Sequence, residues 1–340
     1  MKGALCTRPG TFELREIETP SPAPGDVVVR VRSCGICGSD LHYFNGAFRL
    51  PSVCPGHEIS GEVAAVGPNV AARVGDRVAL EPRSVCRECW CCRTGNLQVC
   101  AAARFLGDAD HGGFAEYVRI PEYALVPVPP AVDFEVAALA EPMAVAVHAA
   151  RVAQVALGDR VVVLGAGTIG LLAVVAAKTA GAGEVWCTAR HPHQRAAAES
   201  LGASKVFLGP EARRQLQAAA RQQVVDAVIE TVGGAADTIA EAVEVVRPQG
   251  AIAVLGVFTV MPAFNALALI AKEVRMFGSA TYGRVGARTD FELAVRLLGE
   301  QPERFRPLLT HRVPLSEIAR GFETAINKRS GSIKVLIQPA

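Results

Sequence analysis

Aromatic residues are scarce in this 340-residue chain, at 6%, with two tryptophans and four tyrosines. The interleaved basic and aromatic stretches that grip nucleic acid are therefore missing. Neither sign of charge dominates. Thirty-five lysines and arginines face 33 aspartates and glutamates, a net of +2, so no bulk electrostatic hold on nucleic acid or an anionic membrane is expected. Ten cysteines are too few for a disulfide scaffold of this length. Long unbroken apolar runs are absent too. Residues 161–177 are short for a bilayer span and carry Gly165, Gly167 and Gly170, while residues 250–271 contain Gly256, Pro262 and Asn265. The opening MKGALCTRPGTFELREIE is charged throughout, so no leader peptide is expected. What is abundant is apolar surface: half of the residues are hydrophobic, enough for a large core. The reading is a soluble, cytoplasmic protein in a reducing compartment, too long for one ordinary domain.

The pattern changes near residue 150. Before it, short Val- and Ile-rich runs (VVVRVRS, ISGEVAAVG, DRVALEP, FAEYVRI) alternate with Gly and Pro, as in a compact β-barrel. After it, strand and helix alternate: DRVVVLG then TIGLLAVVAAKTAG, EVWCTA then HQRAAAESLGA, VVDAVIET then AADTIAEAVEVVR. Such alternation implies right-handed crossovers and a parallel sheet covered on both faces. The last fifty residues end in a helix, SEIARGFETAIN, and a strand, SIKVLIQP. The predicted organisation is α/β. A β-rich domain of residues 1–148 and 286–340 is interrupted by a doubly wound domain of residues 149–285.

Gly165, Gly167 and Gly170 form G-x-G-x-x-G between a strand and a helix. The first glycine permits a tight turn, the second a close pyrophosphate, the third close helix–strand packing. Thr168 and Ile169 lie between them at the helix N-terminus, where a phosphate is favoured. At the tip of the second strand, an NAD site places Asp or Glu on the ribose 2′-hydroxyl. Here the tip is Ala189-Arg190, and no acid occurs from Val185 to Arg195. Arg190 can pair with a 2′-phosphate, and His191, His193 and Arg195 add donors. NADP(H) is expected over NAD(H).

Cys86, Cys89, Cys92 and Cys100 read C-x-x-C-x-x-C-x7-C. Four closely spaced thiolates suit a closed, structural Zn²⁺ site better than an iron–sulfur cluster or disulfides. A dispersed second set, Cys37, His57, Glu58 and Glu141, offers a thiolate, an imidazole and carboxylates that could hold zinc and leave a position for substrate. Spacing alone does not choose Cys37 over Cys34.

With these motifs in order, the chain resembles the zinc-dependent medium-chain dehydrogenase/reductase family along essentially its whole length. The anchors are GICGSDLH (35–42), PGHE (55–58), the four cysteines, GGFAEY (112–117), AEP (140–142) and GAGTIG (165–170). Its His-Glu pair and Glu141-Pro142 are similar to the sorbitol (polyol) and threonine dehydrogenase branch. That resemblance implies a GroES-like catalytic domain beside a Rossmann domain. It makes Cys37, His57 and Glu58 catalytic-zinc ligands, with Glu141 a ligand directly or through water. Asp40 would orient His57, and Ser39 and His42 would relay the proton. The implied function is a zinc-dependent alcohol dehydrogenase or ketone reductase moving hydride between NADP(H) and a secondary alcohol, polyol or hydroxy-amino-acid-like substrate. A homodimer or homotetramer is expected. A zinc-free or single-zinc NADPH quinone or enoyl reductase is the alternative. The segment GSATYGR (278–284) departs from the polyol pattern, and Tyr43 and Phe44 either line a pocket or pack in the core.

Overall fold

The structure, a computed structural model, describes residues 1–339. A hairpin of β1 (Lys2–Arg8) and β2 (Thr11–Glu16) opens the chain. There follow β3 (Asp26–Gly35), helix α1 (Gly38–Phe44), β4 (Glu58–Val66), β5 (Arg77–Leu80), β6 (Tyr117–Pro121) and β7 (Leu125–Pro127). Helix α2 (Ala140–Val152) leads into a βα series: β8 (Arg160–Leu164), α3 (Thr168–Thr179), β9 (Glu184–Ala189), α4 (Pro192–Ser200), β10 (Lys205–Leu208), α5 (Ala212–Ala220), β11 (Ala227–Glu230), α6 (Thr238–Val245), β12 (Ala251–Val254) and β13 (Arg275–Gly278). Strands β14 (Leu309–Pro314) and β15 (Lys334–Gln338), with α7 (Ile318–Ile326) between them, return to the first sheet.

The contacts divide the chain into two compact units: Met1–Glu141 with everything from Gly283 onward, and Pro142–Tyr282. In the first, seven strands form one sheet in the order β14-β15-β3-β4-β5-β7, with β6 paired to β3. Strand β3 is the hub, and its valines suit a pleated, buried surface. Its register against β4 shifts between Val28 and Val29 and again between Val31 and Ser33. Such bulges bend a strand, and Val27, Val28, Val29 and Val31 are all buried. Phe44, Phe114 and Phe322 meet in the core beneath, their ring centroids 5.1 and 5.6 Å apart. Phe44 is thus a core residue, and of the pair only Tyr43 is left partly exposed. Truncating a ring such as Phe322 to alanine costs about 3–5 kcal/mol.

The second unit is a six-stranded, wholly parallel sheet in the order β10-β9-β8-β11-β12-β13. The chain runs outward from β8 to β10, then restarts at β11 on the other side of β8. That reversal leaves a crevice beyond the carboxyl ends of β8 and β11, where doubly wound folds bind their ligands. Strand β8 (RVVVL) is buried from Val161 to Leu164 because both its faces are covered. Among the described residues, no helix is long and apolar enough to cross a membrane, and all ten cysteines are unbridged.

Glu81, just beyond β5, gives a pH-dependent stability. Burial first and then Glu292 push its carboxyl up to about 7, against the pull of Arg83 and Arg284. The folded protein therefore holds a proton that the unfolded chain releases near pH 4.5, so this residue's contribution worsens as pH rises from 4.5 to 7. Glu81→Gln is expected to stabilise the protein at pH 8 by about 2 kcal/mol, a gain that vanishes near pH 4. Urea unfolding at the two pH values checks this; an equal gain at both would refute it.

Candidate active site and metal centres

The glycine loop after β8 has a division of labour that its sequence implied. Gly165 sits at φ +102°, in the left-handed region, and its N–H donates to Thr188 Oγ1 at 2.9 Å. A Cβ on Gly170 would collide with the Gly165 carbonyl, so helix and turn pack as closely as two glycines allow. Gly167 is the opposite case. It caps α3, and a Cβ there would meet nothing within 4 Å. Open space at the N-terminus of a twelve-residue helix, with Thr168 and Ile169 in its first turn, is where a pyrophosphate fits.

At the carboxyl end of β9, Ala189 is buried and Arg190 exposed. Gln194 Oε1 accepts from the backbone N–H groups of both Arg190 and His191, each at 3.1 Å, which fixes the loop. The rings of His191 and His193 stack 5.5 Å apart. Arg195 is instead turned to Glu199, Nε to Oε1 at 2.7 Å. Glu230, fully buried at the end of β11, carries no motif that would mark it in the sequence. It accepts from Val232 N, Gly233 N, Thr238 Oγ1 and Gly256 N at 2.7–3.1 Å, fastening the loops at the carboxyl ends of β11 and β12.

The four cysteines converge as their spacing implied. Ligand atoms of Cys86, Cys89, Cys92 and Cys100 all lie within 4.8 Å of one another. Sulfur separations are 3.9 Å for Cys86–Cys92, 3.9 Å for Cys89–Cys100 and 3.5 Å for Cys86–Cys100. A tetrahedron with Zn–S near 2.3 Å has edges of about 3.8 Å, so the cluster fits that ion. The Cys92 amide, first among the causes, pulls the Cys89 thiol down to about 6, toward the thiolate a metal needs. Cys91 stays outside the set.

The second set gathers around α1 and the start of β4. Cys37 precedes α1, and its N–H donates to Asp40 Oδ2 at 2.9 Å. Asp40 is buried, and its other oxygen lies 3.8 Å from His57 Nδ1. The opposite ring nitrogen, Nε2, is 3.5 Å from Ser39 Oγ, and the imidazole also hydrogen-bonds the Cys37 side chain. Nδ1 toward a buried carboxylate is how a metal-binding histidine is steadied from behind. Burial opposes a charge on His57, but Asp40, Cys37 and Glu141 outweigh it and raise its pKa well above the ordinary value. Ser39 and His42, three residues apart, share a face of α1 and are both partly exposed.

The two glutamates differ. Glu58 is engaged at both oxygens by Lys334 Nζ, at 2.6 and 2.5 Å, with the two side chains 1% and 3% exposed. Lys334 also donates to the Ile36 carbonyl at 2.8 Å. Glu141, at the start of α2, is buried. Burial, first, and the negative charges of Glu58 and Asp40 push its carboxyl up to about 7, against the pull of His57 and Lys334. Three buried carboxylates with a single buried ammonium leave a surplus of negative charge beside a thiol and an imidazole. In kind, such donors suit a divalent cation of the zinc type, although among the described residues only the four cysteines bring their ligand atoms within 4.8 Å of one another.

A doubly wound unit with a glycine-rich phosphate-type loop and a unit bearing a four-cysteine metal-type cluster suit a dinucleotide-dependent, metal-containing oxidoreductase. Two family models match, the alcohol dehydrogenase GroES-like domain over residues 23–130 and the zinc-binding dehydrogenase over residues 168–300. The chain is 32% identical to the L-galactonate-5-dehydrogenase of Escherichia coli, covering 99% of this chain and 98% of that protein. It is 29% identical to the sorbitol dehydrogenase of Bacillus subtilis, over 100% and 97%. A Sinorhizobium meliloti protein described as a zinc-binding dehydrogenase, solved with NADP bound, superimposes with TM-score 0.88 at 30% identity, over 99% of both chains. The chain belongs to the zinc-dependent medium-chain alcohol dehydrogenase family, on its polyol and threonine dehydrogenase side. It is an oxidoreductase acting on CH–OH groups, with residues suited to zinc and a nicotinamide dinucleotide.

Proposed function

We propose that the protein moves a hydride between the carbinol carbon of a secondary alcohol or polyol and NADP(H), and that each chain holds a catalytic and a structural zinc ion. The observation that carries this reading is the meeting of Cys37, Ser39 and Asp40 with His57, from a separate stretch of chain, near enough to the buried Glu141 for its charge to act on the imidazole. A zinc ion bound there supplies Lewis acidity that favours ionisation of the substrate hydroxyl. Asp40 holds the His57 ring with Nε2 forward. Ser39 Oγ stands where it can accept the substrate's hydroxyl proton and pass it to His42, whose imidazole burial keeps below its ordinary pKa and hence able to receive it. The open N-terminus of α3 binds the dinucleotide's pyrophosphate and orients the nicotinamide.

Arg190 is the residue we assign to the 2′-phosphate. Arg190→Ala is expected to raise KM for NADP about tenfold or more and to leave KM for NAD within about twofold, the size of one charge-assisted contact. Steady-state assays with secondary alcohols, polyols, threonine and the matching ketones, run with each cofactor, test substrate class and cofactor together. An equal loss with NAD and NADP would refute the assignment.

Assembly as a dimer or tetramer is part of the same proposal. Strand β13 is a sheet edge, and Phe277 on it, with Leu267 and Ile270 on the helix before it, is exposed. A second copy pairing edge to edge would cover that surface. Unbridged cysteines, four of them poised as ligands, suit the cytoplasm.

A further inference from the structure

We infer that Glu230 is a positioning residue for the nicotinamide half of the dinucleotide: it joins the loops after β11 and β12 into one platform and acts on the cofactor through them. This deepens the proposed function and rests on its dinucleotide. Strand order sets the direction. In the parallel sheet β9, β8, β11 and β12 are successive neighbours, about 4.8 Å apart. With the ribose phosphate at Arg190 on the tip of β9 and the pyrophosphate on the helix after β8, a dinucleotide laid across the sheet continues the same way. Its other half then lies over the carboxyl ends of β11 and β12.

Those two ends are fastened beyond what strand pairing requires. Leu255 N–H donates to the Glu230 carbonyl at 2.9 Å, Gly234 N–H to the Val257 carbonyl at 2.8 Å, and Thr259 N–H to the Gly234 carbonyl at 3.1 Å. The backbones touch at two glycines. A Cβ on Gly233, at φ +61°, would collide with the Val257 backbone, and one on Gly256 would collide with Gly233 N and Glu230 Oε2. Glu230 fills this seam with no exposed surface. Its Oε1 accepts from Val232 N, Gly233 N and Thr238 Oγ1, on the β11 side, and its Oε2 from Gly256 N, on the β12 side. The two oxygens therefore divide the task, one loop to each. A carboxylate has the acceptor capacity for four donors. A glutamine would keep three of them at Oε1 and set its NH2 against Gly256 N–H, two donors facing each other away from water. Strand β9 is not a neighbour of β11, so the Arg190 end of the crevice stands outside this seam.

Binding of two probes to the full chain separates the halves of the cofactor. NADPH carries the nicotinamide, and adenosine 2′,5′-bisphosphate carries only the 2′-phosphate end; if the wild type prefers NADH, NADH and ADP take their places. Glu230→Gln is expected to weaken NADPH about tenfold or more and to leave adenosine 2′,5′-bisphosphate within about twofold, whereas Arg190→Ala should weaken both. Amide hydrogen exchange should quicken about tenfold or more in peptides covering 231–234 and 255–259 and stay unchanged in β8 and β9. Thr238→Val takes one donor from Oε1, leaves Gly256 bonded, and should weaken NADPH about threefold with the same selectivity. Should Glu230→Gln fail to fold, Thr238→Val decides by the same two probes. A glutamate with a merely structural role would lower the melting temperature without separating the probes. Unchanged NADPH affinity in the variant, or an equal loss of both probes, overturns this inference alone. A wild-type chain that binds neither NADPH nor NADH overturns the dinucleotide reading, and this inference with it.

Discussion

Cys37→Ser is expected to lower kcat/KM by about 10³-fold or more and to reduce zinc from two ions to one per chain, with the fold intact. A zinc ion held by Cys37 would contribute several kcal/mol of transition-state stabilisation, and each 1.4 kcal/mol is a factor of ten in rate. Serine is close in size to cysteine, but its hydroxyl stays protonated at neutral pH and is a poor zinc ligand. The backbone loses nothing: the residue-37 amide still donates to Asp40 Oδ2, and the side chain is no part of the apolar core. Circular dichroism and the melting temperature should therefore move little while metal and activity are lost together. A purified Cys37→Ser protein that turns over its alcohol at the native rate would dismiss Cys37 as a ligand and remove the basis for the catalytic site.

What the sequence made legible was local. The glycine loop could be read because the three roles of Gly165, Gly167 and Gly170 are set by backbone geometry within six residues, and the structure shows one in the left-handed region, one open and one in close packing. The four cysteines could be read for the same reason, since a fifteen-residue loop fixes how far apart its sulfurs can lie. The alternation of strand and helix after residue 150 likewise carries its own topology, and the strand order obeys it. Long-range partners could not be read. Lys334 and Glu58 are 276 residues apart, and in SIKVLIQP the lysine looks like the polar position of a strand, although β15 is buried along most of its length. Glu58, next to His57, invites a ligand role by adjacency. Successive residues of a strand face opposite ways, and only the arrival of β15 beside β3 reveals what lies on the far side. Glu230 could not be read because its four donors, three in loops and Thr238 at the start of α6, share no sequence signature. Arg195 seemed a phosphate donor by proximity, but Glu199, four residues on, is its helical neighbour and takes its guanidinium.

The four-cysteine lobe should fail differently from the proposed catalytic site, and that contrast separates the two proposed metal sites. Its helix, Trp90–Arg93, buries no residue; Trp90 and Val99 are exposed, and of the four cysteines only Cys100 is buried. Hydrophobic burial cannot hold such a segment, and a zinc ion bound by the four thiolates would, as in small domains where zinc binding contributes about 10–16 kcal/mol. Cys100→Ser is therefore expected to release one zinc ion per chain and let the lobe unravel locally, while the seven-stranded sheet, whose core is elsewhere, persists. Arg87, held at φ +63°, and Arg93 are both exposed there. Trypsin should cut after them at least about tenfold faster in the variant, because cleavage follows the population of the open form. Mass spectrometry of the fragments would locate the cuts, and the remaining zinc should still be lost on Cys37→Ser. Should Cys100→Ser keep both ions and resist trypsin like the parent, the lobe does not depend on a closed tetrahedral site, and the near-tetrahedral sulfur spacings would be a consequence of chain packing alone.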